Sequence, residues 1–293
     1  MNLCKVLFFL TVSFFLGVSN AFSEGDGMGN LLLSSGNGYL FISNLADSSL
    51  KELAPLSRNG NVSGYINLEK VDQDKFLFES TSHAVGIFDI RTHQEDLLFE
   101  NASCPIYFES SGNIIFSRVE RTHDGFEESL YMSDLSASEP VKVAKLERGA
   151  ASKCPIKISD SQAIFFESYG KNKKLKLLDI RNQSLRDIDL AQYEPVMGIG
   201  GNNLLCVKAG KYFVLDLKTN IVKEISEELL NRNNMFAVSY IEENNTVVIQ
   251  EYRERLFLNA VVNVWLLEMD TLKKKLLVEG IGVAKKGALY FKR

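Results

Sequence analysis

The stretch PIKISDSQAIFFESYGKNKKLKLLDIRNQSLRDIDL, from Pro155 to Leu190, contains four short apolar runs: Pro155 to Ser159, Gln162 to Ser168, Leu175 to Ile180 and Leu185 to Leu190. Runs of this length, rich in Ile, Leu and Phe and parted by turn residues, read as β-strands. The stretch before it repeats the order at Pro105 to Glu109, Asn113 to Val119, Ser129 to Leu135 and Val141 to Leu146, with turns at Ser111-Gly112-Asn113 and Asp124-Gly125. Four short strands in one repeating unit make one blade of a β-propeller.

Outward from these two units, the third strand with its polar end recurs along the chain. YLFISNL ends at Leu45, VGIFDI at Ile90, SLYMSDL at Leu135, LKLLDI at Ile180, YFVLDL at Leu217 and VWLLEM at Met269. The polar anchors Asn44, Asp89, Asp134, Asp179, Asp216 and Glu268 are spaced 45, 45, 45, 37 and 52 residues apart. A sandwich gives no reason for a fixed period, and β-helix coils are about half as long, so the expected fold is an all-β, six-bladed propeller. At the C-terminus Gly282 to Lys285 and Ala288 to Lys292 lack an outer half, while Tyr39 to Leu45 and Leu50 to Leu56 lack an inner half. Pairing them closes the ring and removes exposed sheet edges. Asn30 to Ser34 is left without a place. Ser226 to Asn231, with a capping Ser and acids in its first turn, predicts one short helix, which accounts for the 52-residue spacing.

The 293 residues are 45% hydrophobic and 24% charged, with a formal charge of -4, so the composition is globular and offers no basic excess for a nucleic-acid backbone. Lys5, the apolar run Val6 to Val18 and the small residues Ser19 and Ala21 read as a signal peptide over residues 1–21. A polar leader follows over 22–29, then a single propeller domain over 30–293. Thirteen apolar residues fall short of the roughly 20 that span a bilayer, so no membrane span is expected. The expected location is periplasmic or secreted. Asn61, Asn101, Asn182 and Asn244 begin Asn-x-Ser/Thr sequons.

Cys154-Pro155-Ile156-Lys157-Ile158-Ser159-Asp160-Ser161-Gln162-Ala163-Ile164-Phe165-Phe166 resembles the inner half of the TolB-like (PD40) propeller repeat. Leu130-Tyr131-Met132-Ser133-Asp134-Leu135 resembles its outer half, and Cys104-Pro105 with Ser110 to Phe116 is a second match to the inner half. Ile158 to Ser161 lacks the Pro and Gly of that family's turn. The resemblance implies an exported six-bladed propeller serving as an interaction platform, and it carries over no catalytic residue.

His83 and His123 fall in loops between second and third strands, hence on one face, and His93 on the other, so no three-His metal site is expected. No Gly-x-Ser-x-Gly, Walker loop or His-Glu-x-x-His occurs, and Leu215 to Asn220 lacks the Gly and Trp of quinoprotein repeats, so no cofactor is expected. Asp89, Asp134, Asp179 and Asp216 each end a third strand, where an Asp accepts backbone N–H bonds of the following turn. On the face opposite those turns gather Arg58, Arg148, Lys153, Lys171, Lys173, Lys174, Arg253 and Arg255, interleaved with Tyr169, Tyr193, Tyr252 and Phe257. Together with His83 and His123 they read as a polar rim with aromatic anchors for a protein or surface glycan. The alternative is a propeller-fold polysaccharide lyase or glycan hydrolase, which needs convergent titratable groups in the channel. Cys104 and Cys154 stand before Pro at equivalent points of neighbouring inner strands, either bridged or simply two small apolar residues repeated with the unit.

Overall fold

A computed structural model describes residues 29–35, 39–45, 48–53, 64–123, 125–145, 154–169, 172–190, 192–231, 233–255, 258–280 and 283–291. The expected signal peptide lies outside these residues. Blade 1 comprises β1 (Asn30–Ser35), β2 (Leu40–Asn44), β3 (Leu50–Glu52) and the C-terminal β24 (Val283–Phe291). Blade 2 holds β4 (Tyr65–Lys70), β5 (Lys75–Ser80), β6 (Ala84–Asp89) and β7 (Gln94–Glu100). Blade 3 holds β8 (Ala102–Phe108), β9 (Asn113–Thr122), β10 (Gly125–Asp134) and β11 (Val141–Lys145). Blade 4 holds β12 (Ile156–Ser159), β13 (Gln162–Tyr169), β14 (Asn172–Asp179) and β15 (Ser184–Ile188). Blade 5 holds β16 (Glu194–Gly198), β17 (Asn203–Lys208), β18 (Lys211–Asp216) and β19 (Val222–Glu224). Blade 6 holds β20 (Met235–Ile241), β21 (Thr246–Arg255), β22 (Leu258–Glu268) and β23 (Lys274–Glu279).

Each blade is a four-stranded antiparallel sheet, and the order β24-β1-β2-β3 shows how the ring closes. Asn30, which the sequence left unplaced, begins the second strand of blade 1, sandwiched between β24 and β2. The expectation of two inner strands at the C-terminus is corrected by the same pairing. Residues 283–291 form one strand, and the gap at Lys286-Gly287 between the two expected pieces is a bulge with Lys286 at φ 52°. A bulge keeps pairing on both sides while bending the strand, so a break in the apolar pattern mimics a turn. Every pairing of an inner strand with its neighbour carries such a register shift.

The predicted helix at Ser226 to Asn231 is also corrected. It is a single turn in which Ser226 O accepts from Leu229 N and Leu230 N at 3.0 and 3.1 Å, and Ser226 Oγ accepts from Glu228 N at 3.3 Å. The cap forms but the turn does not propagate, because burying Leu230 between blades 5 and 6 outweighs helix extension in so short a segment. The helical element among the described residues is a 3-10 turn, Glu242–Asn244.

Both faces of each blade are covered by neighbours, so the second strands read as unbroken apolar runs. In β13, Ala163 and Phe165 face blade 3 while Ile164 and Phe166 face blade 5. Six apolar clusters fill the six gaps between blades, with Phe76, Phe78, Phe88, Phe108 and Phe116 fully buried. Burying one such side chain contributes about 1.5–3 kcal/mol. Between blades 4 and 5 the backbones nearly touch: a Cβ at Gly198 would collide with the Lys157 carbonyl. Close approach of backbones is what a glycine in a strand provides.

Candidate functional site

The strand order gives the ring two unlike faces. One carries the turns after first and third strands together with the two ends of the described chain, and is called here the turn face. The other carries the second-to-third-strand hairpins, and is called the hairpin face.

On the turn face the repeated acids cap their own turns. Asp89 Oδ1 accepts from Arg91 N and Thr92 N at 2.8 and 2.9 Å, and Asp216 Oδ1 from Lys218 N and Thr219 N at 2.7 and 3.1 Å. Asp134 Oδ1 takes Ser136 N and Oγ at 2.9 and 2.6 Å, and Asp179 Oδ1 takes Arg181 N at 3.1 Å. These bonds to the ionised form hold Asp89, Asp134 and Asp216 below the usual carboxylate range. His93 lies on this face, in the turn between β6 and β7.

Among the described residues, three hairpins rise beyond their blades on the hairpin face. In blade 3 the flanking strands stop at Arg118 and Ser129, yet β9 and β10 stay paired to Thr122 and Gly125. In blade 4 β13 and β14 run on to Tyr169 and Asn172, and in blade 6 β21 and β22 run on to Arg255 and Leu258. In blades 2 and 5 the corresponding turns close almost where the outer strands end. The blade 3 hairpin is braced at its base. Lys142 and Lys145 of β11 both ion-pair with Glu127, pulling its pKa down to about 2. Beyond the brace Phe126 is 70% exposed, and Val119 on the same hairpin face is also exposed.

The sequence-predicted rim residues distribute over this face as follows. Tyr252, 42% exposed, packs edge-on against Phe236 with ring centroids 5.7 Å apart and receives a hydrogen bond from Gln250 Nε2. Tyr193 is drawn inward, edge-on to Phe213 at 5.3 Å with Lys208 Nζ 4.6 Å above its ring. His83, exposed at the tip between β5 and β6, lies 3.4 Å from buried Glu79. His123, at the tip of the blade 3 hairpin, is exposed and engaged in an interaction of its own. Tyr169, Arg253 and Arg255 lie on the described strands β13 and β21. Arg58, Arg148, Lys153, Lys171 and Phe257 lie outside the described residues. Phe126 and Phe236 belong to this surface and went unread in the sequence. An apolar residue next to Gly125 at a hairpin tip was the available signal for the first.

At the hairpin-face end of the channel the structure joins Cys104 to Cys154 in a disulfide, Cα atoms 5.1 Å apart, linking the inner strands of blades 3 and 4. Beside it Glu79 accepts from Asn67 Nδ2 at 2.6 Å and from Cys104 N at 2.8 Å. Asn67 and Cys104 both adopt positive φ, 48° and 57°, at the bulges of β4 and β8.

The channel itself is crossed by side chains of the inner strands. Lys286 of blade 1 donates to the Pro155 carbonyl of blade 4 at 2.8 Å, Lys157 of blade 4 lies 4.0 Å from Glu69 of blade 2, and Lys70 of blade 2 pairs with Glu243 of blade 6. Burial raises the pKa of Glu69 against the opposing pull of Lys157 and Lys286. Among the described residues no three His, Cys, Asp or Glu side chains converge in a metal-holding group, and no helix is long and apolar enough to cross a membrane.

No family model and no curated protein sequence matches the chain. Among solved structures, TolB from Acinetobacter baumannii superposes with a TM-score of 0.62 over 91% of this chain and 67% of that one, at 16% identity. A chain from a nidogen/laminin complex gives 0.61 over 89% of this chain and 97% of that one, at 9% identity. Oligogalacturonate lyase in complex with manganese gives 0.50 over 81% and 69%, at 11% identity. At these identities the likeness is one of fold, and the chain folds as a TolB-like six-bladed β-propeller.

Proposed function

We propose that this chain is an exported, non-catalytic propeller that holds a partner protein on its hairpin face. The observation that carries the reading is the set of three raised hairpins on one side of the ring, with Phe126 70% exposed above a salt-bridged base. An aromatic held out on a rigid support serves as a binding anchor at little entropic cost. The interblade core is complete without it. The similarly folded chain from the nidogen/laminin complex belongs to an assembly of proteins, which favours the same use of the fold.

A second reading, a lyase or glycan hydrolase, draws on the lyase neighbour and on the raised pKa of Glu69 in the channel. Against it, Lys157 and Lys286 next to Glu69 are already engaged across the channel, and the nearby Glu242 carboxylate acts on it through charge alone. Site-specific photo-crosslinking in the native envelope or secretome tests the choice. A crosslinker at position 126 should give a discrete protein adduct, whereas one at position 182, on the turn face, should not. Equal adduct patterns from both positions, or glycan-only adducts, would sink the protein-binding reading.

A further inference from the structure

Between blades 5 and 6, on the turn face, lies a cavity of about 410 Å³, within the size range of small-ligand sites. Its walls are apolar, formed by Ile199, Val214, Ile225, Met269 and Leu272. Its two ends differ chemically. Toward the channel stand Tyr240 and Glu242, the latter close enough to Glu69 of blade 2 for their charges to repel. Tyr240 commits its hydroxyl proton to Asn245 Oδ1 at 3.0 Å, and Asn245 Nδ2 is spent on Asp270 at 2.7 Å. Burial and the nearby Glu242 push the Tyr240 pKa up to about 12, so the hydroxyl keeps that proton. This end therefore presents acceptors: the Tyr240 oxygen and the Glu242 carboxylate, which has no hydrogen-bond or ion-pair partner among the described residues. At the other end, on the outermost strand β19, Lys223 offers an ammonium that is likewise unpaired among them, while its neighbour Glu224 is tied to Lys211 at 2.8 Å.

We propose that this cavity binds a zwitterionic ligand with an apolar body, a free amino acid or very short peptide, its ammonium on Glu242 and Tyr240 and its carboxylate on Lys223. The apolar walls fit aliphatic side chains, and Met269 and Leu272 are unbranched at Cβ and adaptable. Gly200 keeps the floor low, since a Cβ there would sit 3.1 Å from the Tyr240 hydroxyl. The site is on the face opposite the hairpins and is independent of the partner reading.

Calorimetric titration of the full chain with the dipeptide Leu-Leu tests the assignment, alongside its N-acetylated and C-amidated forms. Saturable binding is expected for the free dipeptide, weakened about tenfold by either block, the loss that follows from removing one charge-assisted hydrogen bond. Glu242→Gln should weaken free Leu-Leu but abolish the penalty of N-acetylation, and Lys223→Gln should do the same for C-amidation. Both side chains are exposed, so neither variant threatens folding. Absence of saturation with free Leu-Leu, or equal affinity for blocked and free forms, overturns the proposal. Crosslinking at position 126 would be unaffected, so the two readings fail separately.

Discussion

Lys286 Nζ reaches the carbonyl of Pro155 at 2.8 Å and so ties the first blade to the fourth, straight across the ring. The bulge at Lys286 aims this side chain inward, where its charge also acts on Glu69. Lys286→Met should lower stability by about 1 kcal/mol, the net value of a partly solvated hydrogen bond to a carbonyl. Urea denaturation reads this, and an unchanged midpoint would show that the tie contributes nothing.

Ring closure depends on β24. Deleting residues 282–293 exposes the edge of β1 from Asn30 to Ser35 and uncovers Leu31 and Leu33, both fully buried. Loss of a cooperative melting transition is expected, and a truncated chain that melts like the parent would refute the closure.

The Cys104–Cys154 bond encloses a separation of 50 residues. Reduction, or the double change Cys104→Ser with Cys154→Ser, should cost about 2–4 kcal/mol. Mapping under non-reducing conditions should recover the two cysteines in one linked peptide. Native Cys206 should resist alkylation, since burial raises its pKa to about 12.

Gly198→Ala should destabilise by about 3 kcal/mol or more, because neither the Gly198 strand nor the Lys157 carbonyl can retreat inside paired sheets. Phe126→Ser should by contrast shift stability by no more than about 0.5 kcal/mol, being on the surface. Similar costs for the two would contradict the packing described.

Acid sensitivity should arise partly from the turn caps. Asp134 and Asp216 titrate lower in the folded chain than in the unfolded one, so between the two values the unfolded state binds more protons. Their stabilisation is therefore full above the unfolded value and is lost as pH falls through the folded one. Asp134→Asn with Asp216→Asn keeps an Oδ1 acceptor but removes the titration. Urea midpoints followed from about pH 5 to about pH 2 should fall less steeply in the double variant.

The blades were legible because second strands are buried on both faces and four of the six third strands end in a capping Asp, two constraints that recur with the unit. Asn30 to Ser34 was not placed because strand identity in blade 1 depends on a partner more than 240 residues away in sequence, Phe291 opposite Asn30. The bulge at Lys286 escaped for a related reason: Lys286 and Gly287 interrupt the apolar pattern, and only the ring's interior gives the lysine its partner. The interblade cavity was invisible too. Gly200, Tyr240 and Lys223 come from three separate elements, and no spacing announces that they meet.

The antiparallel match of Asn30 with Phe291 has one more consequence. Those two residues stand as the flanks of an ordinary hairpin without its connecting loop, so the architecture is a circle that could be opened at another turn without changing its strand pairing. A short linker from Phe291 to Asn30, with new ends opened at the exposed turn around Asn182, should yield a circular permutant of the same shape.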